Sequence, residues 1–287
     1  MVRILVSKFG DIQSEAVDAI LSIMEECYNR LESDGLSLVD LYLFERSSAL
    51  EAFVSQEYAK MGVTSSRFDE DFYAMHDAWR GIPRISVSVE RITSLTELIR
   101  TGILRHEVGH SILHGSPQYY IFPIPHLLME ASGRFDLPTQ YLNDLLYLIS
   151  IAVKDFEVTR LLHSGGYIED QVAYAESVLK ASQDDLAAWE IGKVKPEAKI
   201  LCIVSRLKDF SSASALLPDE KLRERIGMKL TEAMKYFPEE VSKKILNIIL
   251  KLPASMQTDT LKNVDEMTRI IVEELIEPTF PRDPITS

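Results

Sequence analysis

Apolar and polar residues alternate without a break along "RISVSVER" at 84–91, where Ile85, Val87 and Val89 interleave with Ser86, Ser88 and Glu90. A period of two is that of a strand with one apolar face. "VRILV" at 2–6 and "LSLVDLYLF" at 36–44 read as two further strands. Between these two, "SEAVDAILSIMEECYNRLESDG" sets Ala16, Ala19, Ile20, Ile23, Met24, Cys27 and Leu31 on one helical face and ends at Gly35. "SALEAFVSQEYAKMG" predicts a second helix, with Ser48 and Glu51 in capping-box spacing. After a stretch rich in aromatics and the strand at 84–91, "TSLTELIRTGILRHEVGHSILHG" repeats that spacing at Ser94 and Glu97 and stops at Gly115. It predicts one helix, or two short ones meeting near Gly102. Pro117, Pro123, Pro125 and Pro138 exclude a single regular element over 115–137. A long helix is expected from about Gln140 to Leu162, broken by "HSGG". Everything from Tyr167 onward has a helical pattern, punctuated by Pro196, Pro218, Pro238 and Pro253, and ends in a proline-rich tail. The expected fold is α+β over residues 1–165, followed by an all-helical domain over 166–287.

Composition narrows the function classes. The chain has 287 residues, 46% hydrophobic and 26% charged, as a soluble globular protein does. Its net charge of −13, with no stripe of Lys and Arg, excludes nucleic acid as a partner. The longest apolar run, "LLYLISIAV" at 145–153, is too short to cross a bilayer. "MVRILVSKFG" lacks the apolar core and cleavage site of a secretory leader. Cys27 and Cys202 both fall within apolar helical patterns, which suits buried free thiols in a reducing compartment. The reading is a cytoplasmic protein.

The chemistry is concentrated in "LRHEVGHSILHGS" at 104–116. Residues four apart on a helix lie about 6 Å apart along the axis at nearly the same azimuth, so His106 and His110 can converge on one ion. Glu107 is rotated off that line, free to accept a proton from water without being a ligand. Imidazoles completed by one carboxylate suit a single zinc ion with a position left for water. His114 cannot share that ion if the helix continues. Eight residues of rise carry it about 12 Å from His106, whereas two ligand nitrogens on one zinc stand within about 4 Å.

"HEVGH", with the strand-then-helix order before it, resembles the zincin metallopeptidases. That resemblance covers residues 1–165. It implies zinc held by His106 and His110, Glu107 as general base and acid, and a peptide or protein substrate. It also implies that the strand before the active-site helix binds extended substrate along its edge, here Ile85, Ser86, Val87 and Ser88. Gly115 follows His114 rather than preceding it, so the metzincin pattern, with a third histidine, does not fit.

A gluzincin-like site needs a carboxylate from a later helix, and three are candidates. Glu157 follows one of the most apolar runs, where a buried carboxylate is expensive unless it is paired or binds a metal. It ranks first, Glu130 second and Asp155 third; Asp155 could equally orient a histidine ligand. His163, Tyr167, Tyr119, Tyr120 and His126 are candidate donors to a developing oxyanion. His76, Trp79 and Arg80 precede the substrate strand and could shape a cleft rim, with Trp79 the natural core residue. Two other readings fit the same residues: a zinc-stabilised scaffold whose helical half recruits a protein partner, and a latent peptidase whose cleft that half covers.

Overall fold

The computed structural model describes residues 2–33, 35–60 and 72–280. The predicted end of the second helix at Met61 and Gly62, part of the aromatic stretch, and the last residues of the proline-rich tail lie outside these. The described chain is an α+β fold: many helices and one small mixed sheet.

Two compact units divide it, and not at a single point near residue 165. The first comprises residues 1–121 and 161–174, the second 122–160 and 175–287.

In the first unit, β1 (Arg3–Phe9), α1 (Ser14–Arg30), β2 (Leu38–Phe44), α2 (Ser47–Lys60), β3 (Ala74–Asp77) and β4 (Arg84–Ser88) precede the short α3 (Val89–Thr93) and α4 (Glu97–Leu113). The sheet order is β1-β2-β4-β3, with the first three strands parallel and β3 antiparallel to β4. The alternation of β4 therefore does not separate core from solvent. Both of its faces are buried, Ser86 and Ser88 as fully as Ile85 and Val87. Ser88 ends the strand by accepting the Arg91 N–H as the cap of α3. Ile85, Ser86, Val87 and Ser88 are thus corrected from a substrate edge to an interior strand, because β2 and β3 take the backbone groups on either side.

Ser94 does not cap α4 either; it ends α3, its hydroxyl donating to the Arg91 carbonyl, and α4 starts at Glu97. From there α4 runs unbroken through Gly102. Four ties hold it in place. The Tyr28 hydroxyl of α1 meets Ser111 Oγ at 2.6 Å in the interior, and Ser111 donates to the Val108 carbonyl. Arg105 donates to Glu26 of α1 at 2.9 Å and to Asp170 at 3.1 Å, and Gln171 donates to the Gly102 carbonyl at 3.2 Å. Asp170 and Gln171 open α7 (Glu169–Val178), which therefore packs directly on the α4 backbone.

The second unit is helical: α5 (His126–Phe135), α6 (Thr139–Ser164) up to Arg160, the end of α7, then α8 (Gln183–Gly192), α9 (Pro196–Leu216), α10 (Glu220–Ala233), α11 (Glu239–Ser255), α12 (Thr260–Ile271) and a π turn at Val272–Ile276. α9 packs against α8, α10 and α11, and Ser214 donates to the Ile249 carbonyl inside that stack. Cys27 is buried as expected and Cys202 half-buried, and both are free thiols. No described helix is long and apolar enough to cross a membrane.

Two glycines make opposite demands on a methyl group. A Cβ at Gly102 would lie 2.4 Å from the Asp170 carbonyl oxygen and 2.9 Å from Tyr174 Cβ, whereas one at Gly133 of α5 meets nothing within 4 Å. Gly102→Ala is expected to lower stability by about 1–3 kcal/mol through overpacking. Gly133→Ala should raise it by up to about 1 kcal/mol through helix propensity. Urea denaturation of both variants checks the pair of signs.

Candidate metal centre

α4 buries His106, Glu107 and Ser111 along with Ile103, Leu104 and Val108, and leaves His110 half-buried. A helix that takes polar side chains into the interior must find each of them a partner. His106 and His110 face each other, Nε2 to Nε2, at 3.1 Å, their rings at 83°. Two nitrogens at about 2.1 Å from one tetrahedral zinc stand about 3.4 Å apart, so the pair matches a shared ion to a few tenths of an ångström. Two lone pairs aimed at each other need a proton or a cation between them.

His114 has left the helix. It is the C-terminal cap of α4, with φ −123° and ψ 24°, and its N–H donates to the His110 carbonyl at 2.7 Å. That turns its fully buried ring back beside His110, Nδ1 to Nδ1 at 3.2 Å. It meets the nitrogen of His110 that faces away from His106.

Aromatic rings complete the surroundings within the first unit. His76, on β3, lies parallel to His110 with ring centres 6.1 Å apart, and its Nδ1 bonds the Tyr120 hydroxyl at 2.5 Å. Trp79 packs on Tyr120, Tyr119 on His114 and Tyr174 on His106, at 5.1, 5.4 and 4.5 Å between centres. Trp79 is therefore a surface residue of this wall, 37% exposed, and not core. Among the described residues β3 is the edge of the sheet on this side, the place the sequence pattern assigned to β4.

No family model, curated protein or solved structure matches this chain. The zincin resemblance thus stands on "HEVGH" and on the order of elements around it.

The three candidate carboxylates have separate fates. Glu130 is half-exposed on α5, in an i,i+4 pair with the exposed His126 at 3.4 Å. Glu157 is buried, but both its oxygens are taken by α12: Oε2 accepts from Thr260 Oγ1 at 2.8 Å and Oε1 from Asn263 Nδ2. The burial cost that singled it out is met by hydrogen bonds, within the second unit. Asp155 precedes it on α6 by two residues, a rotation of about 200°, and so lies on the opposite side of that helix. On the same helix, burial pushes the Lys154 ammonium down to about 8, against the Asp155 and Glu157 carboxylates that hold it up.

Of the oxyanion candidates, Tyr167 gives its hydroxyl to both oxygens of Glu26 at 3.0–3.1 Å, with the guanidinium groups of Arg30 and Arg105 over its ring. Burial and Glu26 raise its pKa well above the usual phenol range. It braces α1 against α4. His163 lies half-buried in the last turn of α6. Tyr174 carried no sequence signal, being sixty-odd residues beyond the motif and in no recognisable pattern.

Glu157→Ala strands two buried donors on α12. The expected loss is about 2–3 kcal/mol, of the order measured for hydrogen bonds to a charged group, and chemical denaturation followed by circular dichroism reads it.

Proposed function

We propose that this protein is a zinc-dependent metallopeptidase of the zincin type, in which His106 and His110 hold the metal and Glu107 is the general base. The observation that carries this reading is the 3.1 Å approach of the two Nε2 atoms, one helical turn apart, with the Glu107 carboxylate buried one residue from His106.

The third ligand we assign to Asp155 rather than Glu157. Glu157 is committed to Thr260 and Asn263. Glu130 stands on the surface of α5 beside His126, and Asp155 is the candidate on the face of α6 opposite Glu157. Two imidazoles and a carboxylate are the donor set of catalytic zinc sites with one open position.

Zinc bound there would supply Lewis acidity toward a peptide carbonyl and toward water. The protein supplies the remainder. Glu107 takes the proton from the attacking water and hands it to the departing amine. With the His76 Nδ1–H donating to the phenol oxygen, the Tyr120 O–H can be given to the developing oxyanion. β3 offers an extended substrate the edge that β4 lacks.

The purified protein is expected to carry one zinc ion per chain by elemental mass spectrometry. His106→Ala and Asp155→Ala should each lose it, while Glu157→Ala keeps it; zinc retained in both of the first two variants overturns the site. Glu107→Gln should keep zinc and lower hydrolysis of a peptide library by about 10²–10⁴-fold. Zinc without turnover in the parent protein would leave the zinc-stabilised scaffold as the function.

A further inference from the structure

His114 has no part in the proposed chemistry, yet it is built in with care. Its ring is wholly buried. Its backbone N–H is tied to the His110 carbonyl at 2.7 Å, and the edge of Tyr119 packs against the imidazole at 77°. The next residue, Gly115, passes so close to α4 and to the β3–β4 turn that a Cβ would lie 2.3 Å from the Ser111 carbonyl oxygen and 2.9 Å from Pro83 Cγ. The chain can therefore turn back here only without a side chain, and that turn delivers Nδ1 of His114 to within 3.2 Å of Nδ1 of His110.

A neutral imidazole has one N–H. If His110 presents the lone pair of Nε2 toward His106 and a shared metal, its proton must sit on Nδ1, and that proton needs an acceptor. We propose that His114 is the positioning residue of the metal site, accepting the Nδ1–H of His110 on its own Nδ1 and thereby fixing the tautomer and orientation of that ligand. His114 must then carry its own proton on Nε2. Carboxylates and backbone carbonyls commonly fill this place. A neutral histidine accepts the same hydrogen bond without placing another full negative charge in a buried pocket that already holds Glu107. This assignment rests on the zinc reading, and its test separates the two.

Zinc affinity is measured by competition with a chromogenic chelator for the parent protein, His114→Leu and His114→Asn, with the melting temperature of each metal-free protein alongside. Leu keeps the bulk and removes the acceptor; Asn places Oδ1 near the position of Nδ1. The expected result is a 10–100-fold weaker zinc affinity for His114→Leu and a loss of no more than about threefold for His114→Asn. Equal affinities in all three proteins, or an equal loss in both variants, overturn the assignment. Long-range ¹H–¹⁵N spectra of the zinc-loaded parent protein supply a readout independent of folding of the variants. They should show His114 as the Nε2–H tautomer, and a proton on its Nδ1 refutes the role. A parent protein that takes up no zinc removes the metal reading itself, and this role with it.

Discussion

One helix withdraws His106, Glu107 and Ser111 from water, and its cap adds His114. Uncompensated, each such group costs a few kcal/mol, as much as a large apolar side chain gains by burial. Much of what surrounds α4 answers that cost. Tyr28 meets Ser111, the histidines meet one another in series from 106 to 110 to 114, and Arg105 reaches out to Glu26 and Asp170 to hold the helix where these contacts can form. The bareness of Gly102 lets α7 come down on the α4 backbone and brings Tyr174 against His106. The candidate site and the helix that needs its polar groups satisfied are here the same structure.

The same accounting explains the two carboxylates of α6. A buried Glu in an apolar helix demands an explanation, but metal binding and hydrogen bonding both provide one. Glu157 takes the second, through Thr260 and Asn263 about a hundred residues later in the chain. Two residues on a helix are nearly opposite, so its commitment to α12 leaves Asp155 facing the other way. Which of two neighbouring acids is spent on packing is a question of face, and face is decided by what packs against the helix.

Several elements were legible because local pattern suffices for them. A strand from Arg84, which ends at Ser88 where α3 begins rather than at Arg91, and the helix bearing the motif follow from periods of two and of 3.6, and the spacing of His106 and His110 on one helix leaves little freedom in how they meet. Other features misled for physical reasons. The apolar–Ser alternation of β4 looks half-exposed, yet serine is small enough to be buried on the second face of an interior strand. β3 reads as loop, because "AMHD" has no alternation and owes its extended form to hydrogen bonds with β4. Ser94 and Glu97 have the spacing of a capping box and do not form one, since Ser94 is already used to end α3. The rise of a continuous helix would carry His114 away from His106, but α4 ends before it, and the turn at Gly115 that returns its ring to His110 lies in no local rule.

By itself the sequence determined the α+β class, the helix that carries the motif, and the pairing of His106 with His110 around Glu107, because all of these depend on residues within a few turns of one another. The tertiary structure alone decided that β4 is interior and β3 the edge, that Glu157 belongs to α12, that Tyr167 braces Glu26, and that His76, Tyr120 and Tyr174 gather around the histidines. Those depend on which distant segment satisfies which buried polar group, and helix or strand periodicity is blind to a partner dozens of residues away.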